Sequence, residues 1–261
     1  RCAGFVRGVS TAEMAESPDL PAGYRLFSFQ TIDSTNAEAL RRMENDGRPG
    51  DVIWSREQES GRGRRGREWL STKGNLFVTL LVTVPPERPV GQLAFVAAIG
   101  IANGLGRCVP KPDRIRLKWP NDLLLHGRKL GGILIERSAG NLNPDLVAVG
   151  IGLNVSSAAF PNSACLRDCG SEASVSELVG LICDEFEKTR AIWLTDGFGP
   201  VRDSWLERAD HLGETITVRF PDERTVEGQF RGIDDHGALE LWRPDGTCEM
   251  IATGEVFFSA A

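Results

Sequence analysis

The stretch LFVTLLVTV, Leu76 to Val84, and the segment that follows it leave this chain few folds to choose from. Its length and β-branching mark a buried strand, and it falls far short of the ~18 apolar residues a bilayer span needs. PPERP ends it, and VGQLAFVAAIGIANGLG then presents apolar side chains in nearly every direction, as a largely buried helix does. Strands and helices alternate around this pair. YRLFSFQTI reads as a strand and DSTNAEALRRM opens a helix, with Thr35 and Glu38 at capping-box spacing and Leu40 and Met43 inward. DVIWSREQE is a second strand. IRLKWPNDLLL is strand, turn, strand, and GGILIER continues the sheet after a turn at residues 126–128. DLVAVGIGLNV is another buried strand, and SVSELVGLICDEFEKTRAIW is a helix capped at Ser174 and Glu177. After VRDSWLERADHLG the texture changes to short strands with turns at PDE, DDHG and PDG, the pattern of a small SH3-like β barrel. The expected organisation is a mobile lead-in over 1–23, a mixed α/β domain over 24–211 and an all-β module over 212–261.

The balance of charge excludes one broad class. With 30 basic and 36 acidic residues the net charge is -6 and the pI about 5.3, whereas a general nucleic-acid binder is normally basic. The six cysteines are scattered; Cys165 and Cys169 lie close but lack a second pair for a zinc site, so no metal ligand set is expected. Reduced, mostly buried thiols in a cytoplasmic protein fit better. The first residues lack the apolar core of a signal peptide.

Against this acidic background, GRGRRGR places four arginines and three glycines between Gly61 and Arg67. Guanidinium forks suit phosphate and carboxylate, and glycine lets the backbone approach a ligand. Free of a ligand, the like charges repel and the glycines favour an ensemble; a triphosphate offsets both costs. The alternative is a solvated basic stretch. Trp69 follows, able to meet a base, seal the loop or join the core. Downstream, Lys118, Asn121, Asp122 and Lys129 surround a proline-containing turn between apolar strands, which suggests a ligand edge. Upstream, Ser34, Thr35 and Asn36 sit at a helix N-terminus, where free N–H groups and small polar side chains serve either as caps or as a ligand site.

Together STN at 34–36, Gln58, GRGRRGREW at 61–69, LKWPND at 117–122, GRKLGGILIE at 127–136 and GIGLN at 150–154 closely resemble the biotin protein ligases, over roughly 25–257. The resemblance implies a mixed-sheet biotin/lipoate ligase catalytic domain, like that of class II aminoacyl-tRNA synthetases, with a C-terminal SH3-like barrel. It implies two half-reactions: biotin and ATP give biotinoyl-5′-AMP and pyrophosphate, and the biotinoyl group passes to one lysine of a biotin carboxyl carrier protein, such as the carrier subunit of acetyl-CoA carboxylase. By this similarity Ser34, Thr35, Asn36, Gln58, Arg62, Gly63, Arg64, Lys129 and Gly131 would surround biotin. Arg64, Arg65, Arg67, Trp69, Lys118, Asn121 and Asn154 would meet ATP or the adenylate. Lys129 and Arg64 would stabilise the charge that develops, and Asp122 would orient or deprotonate the carrier lysine. Mg²⁺ is expected with ATP.

Many bacterial members of this family carry an N-terminal winged helix-turn-helix. Fewer than thirty residues precede the core here, so a monofunctional enzyme without operator binding is expected, membrane-free and cytoplasmic, with monomer and homodimer both open. Two rivals remain. A lipoate–protein ligase shares the fold and the adenylation logic, but its RRxSGGGAV-type segment is absent. A non-catalytic nucleic-acid module would use the arginine loop with Trp54 or Trp69.

Overall fold

The computed structural model describes residues 17–140, 143–158 and 160–258. Most of the expected N-terminal lead-in, residues 1–16 with Cys2, lies outside them.

The first domain is a seven-stranded mixed sheet of order β1-β2-β3-β7-β6-β5-β4. Its strands are β1 (Arg25–Ile32), β2 (Asp51–Gln58), β3 (Leu76–Thr83), β4 (Ile115–Lys118), β5 (Asp122–Leu125), β6 (Arg128–Glu136) and β7 (Leu146–Leu153). Only the β1–β2 pair is parallel; the neighbours β2–β3, β3–β7, β7–β6, β6–β5 and β5–β4 run antiparallel. Helix α1 (Thr35–Met43) covers one face. The other is covered by α2 (Gln92–Gly106), with α3 (Val175–Asp196) and α4 (Phe198–Arg208) packed around it.

Period-two alternation in β3 and β7 explains why both faces are covered. Leu76, Val78, Leu80 and Val82, with Val147, Val149, Ile151 and Leu153, join the large core beneath α2. Leu81, Leu146 and Ala148 join Ile53, Ala39 and Met43 beneath α1. Along that second face β7 then continues with Gly150 and Gly152, so the side chains shrink from Leu146 through Ala148 to nothing. A hollow opens where they run out.

In the first domain the expected strands and helices are present with two differences, and in the C-terminal module the last expected strand, over 247–258, is broken into two at residues 252–254. The cap of α1 is Ser34, whose hydroxyl accepts from Ala37 N–H, rather than Thr35. Thr35 is thereby inside the helix and free to face the hollow, while Glu38 pairs with Arg41 and Arg42 on the outer face. Helix α4 is the other. No element is expected there from the sequence, yet Phe198, Val201 and Trp205 recur at helical spacing and are buried. Ser174 caps α3 as expected, accepting from Glu177 N–H at 3.1 Å.

The C-terminal module is a five-stranded antiparallel sheet of order β11-β10-β9-β8-β12. Its strands are β8 (Thr215–Arg219), β9 (Thr225–Ile233), β10 (Leu239–Trp242), β11 (Cys248–Ile251) and β12 (Glu255–Phe258). It shares its core with the first domain. Trp205 of α4 meets Phe95 of α2 and Phe230 of β9 edge to face, with ring centres 5.3 and 6.4 Å apart. The Trp119 indole N–H donates to Gly237 O at 3.0 Å. Trp54 is a core residue, 7% exposed, so a nucleic-acid surface built on Trp54 is excluded. Four of the five described cysteines are buried or half-buried; Cys248 is exposed.

Candidate active site

The hollow is a cavity of about 480 Å³ bounded by the first turn of α1, the arginine loop, the β4–β5–β6 hairpins and strand β12. Its floor is glycine. A Cβ on Gly150 would stand 2.0 Å from Asn36 Oδ1, and one on Gly152 2.6 Å from the Trp69 ring. Asn36 and Trp69 therefore lie flat on a strand stripped of side chains. Gly132 continues this floor, in contact distance of Trp69, Asp122 and Lys129. Gly131, the glycine expected to meet biotin, does not line the cavity: a Cβ there would strike Leu153 at 2.3 Å, so it serves the packing of β6 on β7.

At one end the cavity is neutral. Thr35 donates from its backbone N–H (2.9 Å) and its hydroxyl (3.1 Å) to Gln58 Oε1. Gln58 Nε2 donates to Ser71 Oγ at 3.0 Å. The hydroxyl of Thr79, fully buried in β3, lies 2.9 Å from Thr35 Oγ1 and 2.6 Å from Asn36 Oδ1. Asn36 Nδ2 donates to Glu136 at 2.8 Å. Ser34, Thr35 and Asn36 are all buried. Asn36 is thus engaged at both ends of its amide, as a strut beneath the pocket. Thr79, Ser71 and Glu136 escaped the sequence reading. Thr79 could have been noticed as a hydroxyl inside an otherwise apolar run, facing α1 by alternation; Ser71 and Glu136 carried no such signal.

The opposite end is charged. Lys129 Nζ donates to Asp122 Oδ1 at 2.8 Å and lies 5.5 Å from the Trp69 ring centre. A bulge creates this contact. Asp122 pairs with Gly132 and Leu124 with Lys129, so β6 carries one extra residue between those pairs, and the register shift turns Lys129 to the face of Asp122. Lys118, whose Nζ is 5.0 Å from the Phe258 ring centre, completes the group. Burial lowers the pKa of Lys118; Asp122 opposes the shift and Lys129 adds to it. Arg64 donates to Asn121 Oδ1 at 3.0 Å, and burial likewise disfavours its charge.

The arginine loop lies across the mouth. Gly63 N–H donates to Arg67 O at 2.7 Å and Trp69 N–H to Gly61 O at 2.8 Å, folding the segment into a narrow hairpin around one 3₁₀ turn at 64–66. The repulsion expected among its arginines is offset by acidic partners from outside the loop: Glu136 for Arg62 at 2.5 Å and Glu255 of β12 for Arg67 at 2.7 Å. Arg219 also contacts Glu255 at 3.4 Å, and burial of this carboxylate is outweighed by the two arginines, which hold its pKa below the usual value. Arg65 sits exposed at the tip with φ 57° and lies outside the cavity lining, unlike Arg62, Gly63, Arg64 and Arg67.

Two buried polar atoms in the wall have no protein partner: Asn154 Oδ1, whose amide nitrogen donates to Ala164 O at 3.0 Å, and Trp69 Nε1.

The Biotin/lipoate A/B protein ligase family model matches residues 27–154, and the Biotin protein ligase C terminal domain matches 211–259. The biotin--[acetyl-CoA-carboxylase] ligase of Paracoccus denitrificans is 40% identical over 242 residues, 87% of this chain and 97% of that protein. The bifunctional ligase/repressor BirA of Escherichia coli is 30% identical across 88% of this chain and 73% of its own length. Among solved structures, a biotin protein ligase from Aquifex aeolicus in complex with biotin and ATP superposes with a TM-score of 0.77 at 25% identity, covering 89% of this chain and 97% of that one. A neutral hydrogen-bonding pocket joined to a cationic one through Lys129, on this topology and with these relatives, places the chain in the biotin protein ligase family.

Proposed function

We propose that the chain activates biotin with ATP as biotinoyl-5′-AMP and then transfers the biotinoyl group to a lysine of a carrier protein such as the acetyl-CoA carboxylase carrier subunit. The observation that carries this reading is the continuity of the two ends: a hydroxyl- and amide-lined pocket opens into a cationic one at Lys129. The ureido ring of biotin needs partners for each buried polar group, and leaving one unpaired costs about 1–3 kcal/mol. Ser34, Thr35 and Gln58 would supply them, the Thr35–Gln58 bonds being exchanged for bonds to the ring, while Asn36 stands nearby as a strut.

In the first step a carboxylate oxygen attacks the α-phosphorus and pyrophosphate departs. Two anions must approach, and the ammonium of Lys129, with the Arg64 guanidinium, offsets that repulsion where water is sparse. One such preorganised donor contributes about 3–4 kcal/mol. Trp69 and Asn154 would receive the adenine, and Lys118, with Arg67 and Asn121 at its flank, the phosphates. Mg²⁺ would enter on ATP: among the described residues no three His, Cys, Asp or Glu side chains group as ligands, and two of the three carboxylates that line the cavity, Asp122 and Glu255, already face cations while Glu68 is the third. Bound there, the metal would neutralise phosphate charge. In the second step the carrier amine attacks the acyl carbon, AMP leaves, and Asp122 is the carboxylate beside Lys129 that can orient the amine or take its proton.

The lipoate alternative is not favoured, since the relatives found are named for biotin. Among the described residues no helix is long and apolar enough to cross a membrane. We read the protein as cytoplasmic and without operator binding, and leave its assembly as monomer or homodimer to measurement. Isotopic pyrophosphate–ATP exchange, run with biotin, with lipoate and with neither, tests the reading: exchange dependent on biotin supports it, and exchange dependent on lipoate or on no acid overturns it. A sequence-specific, salt-resistant shift of a DNA probe would overturn the absence of operator binding.

A further inference from the structure

Glu136 ends β6 at the rim, between the arginine loop and the glycine floor, and its two oxygens serve different structures. Oε2 accepts from Asn36 Nδ2 at 2.8 Å, and Oε1 accepts from Arg62 at 2.5 Å. A carboxylate only accepts, so the Asn36 amide must present nitrogen to Glu136 and oxygen to Thr79, where the contact is 2.6 Å. Asn36 is 4% exposed and pressed on Gly150, with no space to turn. The first turn of α1, the pocket floor and the loop are therefore linked in series through Asn36, Glu136 and Arg62. Ordinary surface ion pairs contribute little. This one differs because the Glu136 side chain is 19% exposed and its second oxygen is fixed by a buried amide. A negative charge at the rim of an anion pocket works against anion binding directly, which argues that its role is exerted on the loop. Arg62 has donors beyond the one given to Glu136, so the contact can hold the loop while the guanidinium still faces the cavity.

We infer that Glu136 is a positioning residue that fastens the arginine loop to the floor of the acid-binding pocket and so slows escape of the acyl-adenylate. This rests on the adenylation chemistry proposed above. The test uses the full chain as wild type, Glu136→Gln, Arg62→Gln and the double variant. Labelled biotinoyl-AMP is formed in place from biotin and MgATP without carrier, and its release is timed after a chase with unlabelled biotin and ATP. Because a charge-assisted contact is removed, Glu136→Gln is expected to release the adenylate about 10-fold faster while forming it within about threefold of the wild-type rate. Arg62→Gln, on a half-exposed side chain, breaks the same contact from the loop side and is expected to quicken release as well. On that background the Glu136 substitution should add nothing, since contacting residues couple. Release from Glu136→Gln at the wild-type rate, or effects of the two substitutions that simply add, overturns the inference. So does a parallel loss of melting temperature and adenylate formation in Glu136→Gln with retention intact, the mark of a merely structural role. Wild-type protein that makes no acyl-adenylate would instead overturn the proposed function.

Discussion

The two ends of the cavity are built by opposite means. The neutral end is buried and its side chains already bond to one another, through Thr79, Asn36, Thr35 and Gln58. The charged end is half-open: the side chains of Lys129 and Asp122 are 43% and 21% exposed. Arg64 and Lys118 are held there against the cost of desolvation. A neutral pocket discriminates by leaving no polar group unpaired, so its precision comes from a rigid lattice of short bonds. A cationic pocket acts on charge that develops during reaction, so it keeps its groups available and partly dehydrated.

The contrast can be broken most severely at its junction. Lys129→Ala is expected to fold with an unchanged melting profile yet lose about 10²–10³ in adenylate formation, read by pyrophosphate exchange; normal turnover would remove Lys129 from the mechanism. Thr79→Val keeps shape but takes a donor from Asn36, so the KM for biotin should rise about 10-fold with kcat retained, and Thr79→Ser should restore it. An equal fall in kcat would show the two ends to be one unit. Gly152→Ala puts a methyl against Trp69, an overpacking of about 1–3 kcal/mol. Calorimetric titration should show weaker ATP binding with biotin binding kept; the reverse would misplace the adenine.

A smaller effect concerns pH. Burial lowers the pKa of Lys118 below its usual 10.5, so on the alkaline side its charge is lost before that of a solvated lysine. The KM for ATP should then rise early, and Lys118→Arg should move that limb upward; an unmoved limb would assign it elsewhere. The linked stability has the matching sign: the buried ammonium is a cost at neutral pH, relieved as pH rises through the lowered value toward 10.5. Smallest is Glu255→Gln at the module–loop contact, part-exposed and expected to change loop retention by less than about 1 kcal/mol. Its depressed pKa means the contact is present above the usual carboxylate value of 4.5 and lost as pH falls through the folded one.

Much of this was legible in the residues themselves. The buried strand and helix from 76 to 106, the change to short strands after 211, and the arginine loop are local properties of period and composition, and the structure carries them. Where Thr35 and Asn36 point was not legible, because both Ser34 and Thr35 can cap a helix and the choice rests on contacts from β2 and β3. Gly131 and Gly132 are alike in sequence; a bulge in β6 decides which one floors the cavity and brings Lys129 to Asp122.

The sequence by itself determined which segments are strand, helix or loop and which residue types could bind an anion, since periodicity and side-chain chemistry act over a few neighbours. Tertiary structure alone decided that Glu136 and Glu255 meet the arginine loop. Each is brought there by strand register and by the packing of the C-terminal module on the shared core, over separations at which the chain's local pattern holds no information.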